Sequence, residues 1–333
     1  MKKTLYLILG ILLLPLALGA QSLPKAEESF AKGDYSSALT QYKQLMQSAT
    51  GEERLHAQLR YAACQYGLGE YLNAAKTIWN YPLPENDLWK VRFLLYRIQI
   101  SDQAASVYRR LLNERQIDSN DAQNDPETWT KEEWESRITQ DYETLWAMRA
   151  ALINFPVERE PLILNIKETD TQRIPTLFDY VVFEWRNRLT AQKTVVPARL
   201  ENAEYLDGYA EVVPQQKEQA EKLAYLLKTA YLLDGKGRQN AKIFWQTDFI
   251  LLPFTQERFF ELNNKEKALN AAVSQLNVIS GITPQTLGFW NKIKGYVSAD
   301  NTDYGRSYAA YKAAELLWNR NGDREESLKI SRF

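Results

Sequence analysis

One cysteine and one histidine occur among the 333 residues, Cys64 and His56, and each scarcity excludes chemistry. A single cysteine cannot close an intramolecular disulfide. A single histidine removes the commonest metal ligand and the commonest general base from most catalytic constellations. Basic charge is not in excess either: 41 Lys and Arg stand against 42 Asp and Glu. That balance argues against nucleic acid or an anionic membrane as a partner. Aromatic residues, by contrast, are plentiful, with 9 Trp, 19 Tyr and 12 Phe. Each buries a large apolar area, so packing can supply the stability that disulfides do not.

Residues 1–20 read as a Sec signal peptide. Lys2 and Lys3 form a basic start, an apolar stretch runs from Leu5 to Leu18, and the small residues Gly19 and Ala20 precede Gln21. The apolar stretch is interrupted by Pro15 and is shorter than the roughly 20 residues of a membrane-spanning helix. No cysteine follows it to carry a lipid anchor. The expected address of residues 21–333 is therefore periplasmic or secreted, with cleavage near Ala20 and no stable membrane span afterwards.

Beyond the signal the chain reads as helix nearly throughout, an all-α class. "FAKGDYSSALTQY" places Gly33 in a turn, starts a second helix at Tyr35, and puts Ala38 and Tyr42 on its inner face. The same spacing returns 36 residues later in "YGLGEYLNAAKTI", at Gly69, Tyr71, Ala74 and Ile78. Self-similarity near 34 residues marks tetratricopeptide-like helix pairs, in which a small residue lets helices approach and an aromatic fills the groove. Residues 21–116 are expected to hold such repeats, with a third pair starting near Asp87. A polar, aperiodic linker follows at 117–130.

Residues 131–333 read as a second helical array, α-solenoid-like. Trp134, Ile138, Tyr142 and Leu145 recur at helical spacing, whereas Leu162 to Ile166 is either a strand or a buried helical turn. In "IPTLFDYVVFEWRNRL", Pro175 presets a helix start and Thr176 and Asp179 have capping-box spacing. Phe178, Val182, Trp185 and Leu189 then recur as an amphipathic stripe. A weakly patterned connector follows Thr190. Helical pattern resumes from Glu218 to Leu233, stops at Asp234-Gly235-Lys236-Gly237, and resumes again. Near the end "NRNGDREESLKI" repeats the spacing of the first turn, with Gly322 and Asp323 in the places of Gly33 and Asp34. This last pair stops at Phe333 without the polar cap of a solenoid end, which suggests a longer parent chain or docking onto a partner.

Candidate chemistry is thin. His56, in "ERLHAQLRYAACQY", is expected on a helix surface or groove. Cys64 is expected to be a small apolar residue within the repeat. "DSNDAQNDPE" from Asp118 lacks the central glycine and final glutamate of a calcium loop. "DGKGRQNAK" lacks Walker A spacing and links two helices instead of following a strand. No catalytic, cofactor-binding or metal-binding residue is assigned, and no cofactor is implied.

The segment "PTLFDYVVFEWRNRL" resembles a "PTLYDFLAHRAL"-like segment in the helical region preceding the macroglobulin domains of large bacterial alpha-2-macroglobulins, Bacteroidetes type. The order of features from Trp129 to Arg332 is similar to that region too. The resemblance implies a family that traps proteases through a bait region and, in many members, a reactive thioester. Cys64-Gln65 departs from the Cys-Gly-Glu-Gln thioester motif, and no bait or β-sandwich part is present. The implied role is a non-enzymatic helical scaffold or docking module of such a cell-envelope protein. The alternative is a stand-alone extracytoplasmic tetratricopeptide-like adaptor. In either case the expected partner is a protein, or further domains of the parent chain, and not nucleic acid.

Overall fold

The computed structural model describes residues 22–110, 125–164, 166, 169–191, 198–200, 219–256 and 259–262, with 271, 272 and 275. The signal segment, most of the loop from Asp118 and the pair at Gly322 to Phe333 lie outside these residues. The chain forms two compact units, 1–141 and 142–333. Both are helical, and among the described residues the only sheet is a pair of three-residue parallel strands in the second unit.

The first unit begins with α1 (Leu23–Ala31), α2 (Tyr35–Ser48), α3 (Gly51–Gly67), α4 (Tyr71–Asn80) and α5 (Asp87–Val107). Each packs on the next, while α1 also meets α3 and α3 meets α5. The turns ending α1 and α3 match bond for bond. The Gly33 and Asp34 amides donate to Phe30 and Ser29, and the Gly69 and Glu70 amides donate to Tyr66 and Gln65. This is the glycine-closed helix end whose reversed hydrogen bonds satisfy terminal carbonyls. Phe30 packs edge-on against Tyr35 and Tyr66 against Tyr71, both with centroids 5.3 Å apart. Ala38, Tyr42, Ala74 and Ile78 are fully buried at the equivalent inner positions. The 36-residue spacing thus corresponds to a physical repeat.

Gly33 has φ +76° and Gly69 +79°, and a Cβ at either would meet nothing within 4 Å. Only backbone handedness therefore demands glycine there. Gly33→Ala and Gly69→Ala should each cost about 1–2 kcal/mol. Urea denaturation of the two variants checks this, and equal losses at the two positions are expected from their matching turns.

Residues 125–130, read as linker from their composition, are packed within the first unit. Trp129 and Thr130 are buried, and Lys76 on α4 reaches Asp125 at 3.4 Å and Glu127 at 2.6 Å. Thr130 and Glu133 then form a full capping box: the Thr130 amide donates to the Glu133 carboxylate at 2.8 Å, and the Glu133 amide donates to Thr130 Oγ1 at 3.2 Å. This box starts α6 (Lys131–Ala147), within which the division between the units falls.

The second unit contains α7 (Arg149–Leu152), a 3-10 turn (Val157–Arg159), α8 (Leu177–Ala191), β1 (Ala198–Leu200), α9 (Gln219–Leu232), α10 (Gln239–Thr255) and β2 (Phe260–Leu262). Leu162 to Leu164 are a buried turn and not a strand, with the Ile163 and Leu164 amides both donating to Glu160. α8 departs from the amphipathic expectation. Leu177 through Arg186 are all buried, so the helix is enclosed around its circumference, with α7 and α9 packed against it. Two of its charged positions, Asp179 and Arg186, which mimic a solvent face in the sequence, pair with buried partners instead.

Candidate functional site

Buried polar groups gather in both units, around Glu27 and Asp141 in the first and around Asp179 and Asp248 in the second. In the first unit, four helices contribute to one network. Glu27 on α1 accepts hydrogen bonds from Tyr42 on α2 and from His56 Nε2 (2.8 Å) and Arg60 Nε (3.0 Å) on α3, all at Oε1. Arg60 Nη2 donates to Oε2 at 3.2 Å, completing a bidentate fork, and Nη1 donates to the Tyr96 hydroxyl on α5 at 3.4 Å. The guanidinium lies 4.2 Å from the centroid of the Phe30 ring.

Burial pushes the Glu27 carboxyl up, but the hydrogen bond from His56, the charge of Arg60 and the bond from Tyr42 outweigh it and hold the group at about 2. Burial, then the bond to Glu27, raises the Tyr42 hydroxyl. Cys64 is fully buried beside this network, and burial lifts its thiol to about 12. Glu27 is thus a fixed carboxylate and Cys64 a fixed thiol at neutral pH. Nucleophilic chemistry needs the thiolate, which burial disfavours at Cys64. His56, expected on a surface or groove, is half-buried and bound to Glu27.

The sign of the Glu27 shift fixes an acid response. Its folded value lies below the usual 4.5, so its stabilising contribution is complete above that pH and is lost as pH falls toward 2. Thermal unfolding of Glu27→Gln should therefore show a shallower stability loss between pH 4.5 and 2 than the parent chain.

A second group in the first unit places the Arg97 guanidinium 3.4 Å from the centroid of Trp79, with Nη2 3.1 Å from Asp141. Arg97 Nε and Asp141 Oδ2 are buried without a hydrogen bond. Burial accordingly raises Asp141 to about 7, against the charge and hydrogen bond of Arg97 and the charge of Arg137. Trp129 and Trp134, 4.8 Å apart, belong to the same aromatic packing.

In the second unit, the "PTLFD" segment supplies a buried carboxylate. Asp179 accepts from Arg238 Nη2 (2.6 Å) and Nε (2.9 Å), from Trp245 Nε1 (2.9 Å) and from the Thr176 hydroxyl (2.7 Å). Arg238 also donates to the carbonyls of Leu233 and Ala230. Asp179 and Arg238 are both fully buried. Seven residues further along α8, Arg186 makes a second buried pair with Asp248 on α10, at 2.6 and 3.1 Å. The glycine-rich "DGKGRQNAK" segment is therefore a turn that delivers Arg238 into the core. Gly237 supplies the reversed conformation, φ +77°, and no phosphate cradle follows a strand here.

Phe178 and Trp185 are buried as part of the same core. Trp185 stacks on Tyr142 at 5.4 Å and meets Trp146 edge-on at 5.8 Å. A shallow pit beside them, lined by Trp146, Trp185, Leu189, Lys222, Tyr225 and Leu226, is too narrow for a water molecule. Among the described residues, no group of three or more His, Cys, Asp or Glu is placed to hold a metal ion, and no helix is long and apolar enough to cross a membrane. The chain matches no protein-family model, no curated protein and no solved structure.

Proposed function

We propose that this chain is a non-enzymatic helical scaffold, the docking module of an alpha-2-macroglobulin-like cell-envelope protein, exported through its N-terminal signal. The supporting observation is where the polar groups go. In a helical array, His56, Cys64, Asp179 and Arg238 are all committed to internal packing, so the helix faces are the surface left for recognition. The "PTLFD" resemblance supplies the family context. A second reading, a stand-alone extracytoplasmic adaptor, draws on the matched turns at Gly33 and Gly69, since stacked repeats commonly present binding faces. Fractionating source cells and immunoblotting with an antibody to residues 21–333 separates the two. A band in the envelope well above 38.6 kDa supports the module, and one near that mass supports the adaptor. A cytoplasmic band retaining Met1 contradicts both.

A further inference from the structure

In the network around Glu27, every donor to the carboxylate lies on α2 or α3, and the acceptor alone lies on α1. Tyr42, His56 and the Arg60 fork together present the donor set that recognises a free carboxylate: a bidentate guanidinium with two further donors around it. Tyr96 and Phe30 hold the guanidinium from other sides. Tyr42 and Arg60 are buried, His56 is half-buried, and Glu27 is the most exposed of the four. The Arg60 side chain is 7% exposed, whereas that of Glu27 is 31% exposed, so the carboxylate is more accessible to solvent than the guanidinium that holds it. α1 has only nine residues, too few to be a stable helix alone. Its position depends on the contacts of Ala26, Leu23 and Phe30 with the adjoining core and on this set of bonds.

We propose that Tyr42, His56 and Arg60 form a carboxylate receptor that the fold fills with its own Glu27, making α1 a displaceable occupant whose place an exogenous carboxylate can take. The inference goes beyond the scaffold reading and stands without it: it concerns one pocket, and it holds for either parentage of the chain.

Chemical rescue tests the receptor. In residues 21–333 carrying Glu27→Ala, rising acetate or formate should raise the melting temperature saturably, as mass action on a folded-state site requires. Sodium chloride at matched ionic strength should not. The response should vanish in Glu27→Ala/Arg60→Met, and in Glu27→Gln, where the amide still fills the pocket. If Glu27→Ala does not fold unaided, the helical signal recovered on refolding in acetate becomes the same readout. Equal effects of acetate and chloride, no effect of either, or a response that persists without Arg60 would overturn the receptor. Hydrogen exchange of the parent chain tests the displaceable occupant. Acetate should lower protection in α1 relative to matched chloride while leaving α3 unchanged, and unaltered α1 protection overturns that part.

Discussion

Asp179→Ala is expected to lower the unfolding free energy by about 3–5 kcal/mol, the usual cost of leaving one member of a buried ion pair without its partner. The stranded charge would be Arg238, fully buried beside α8. Trp245 and Thr176 would lose their acceptor as well. Much of the loss comes from the abandoned guanidinium and not from the attraction itself. The double variant Asp179→Leu/Arg238→Met should therefore recover most of it, because apolar replacement of a whole buried pair is often neutral or better. Urea denaturation of the three proteins checks both statements. A loss below about 1 kcal/mol in the single variant would mean that Arg238 reaches water when released.

Trp185→Ala should cost a similar amount, about 3–5 kcal/mol, through the cavity left by a large aromatic side chain. Trp185 is 4% exposed and lies against both Tyr142 and Trp146, so neighbours can fill the gap only by breaking their own ring contacts. An unchanged melting curve would instead place this tryptophan at an interface. Since Asp179 and Trp185 share one helix and one core, their losses should not add simply.

What the sequence disclosed and what it hid divide along the range of the interactions. The turns at Gly33 and Gly69 were legible because a reversed backbone conformation demands glycine locally, and the accompanying tyrosines and alanines repeat with it. The Thr176 start of α8 was legible for the same reason. The partner of Asp179 was not, because Arg238 lies 59 positions away and no local pattern separates one buried arginine from the many solvated ones. One signal was available: a lone aspartate inside the apolar run "TLFDYVVF" must find a counter-charge if that run is enclosed. The charged residues of α8 misled in the other direction, giving a buried helix the look of an amphipathic one. Glu27 was hidden among neighbouring acidic residues in "PKAEESF", so His56 could be placed on a helix but not joined to its carboxylate. The Thr130–Glu133 capping box was present in "TKEE" and was masked by the polar stretch before it.

The role proposed for this helical chain is binding, without chemistry of its own. Its most direct test is to incubate purified residues 21–333 with a panel of proteases and chromogenic ester substrates, following covalent adducts and product release over time. The account predicts neither an adduct nor turnover, since Cys64 is held as a buried thiol near pKa 12 and His56 is bound to Glu27. Time-dependent capture of a protease, or ester turnover abolished by Cys64→Ala or His56→Ala, would contradict it.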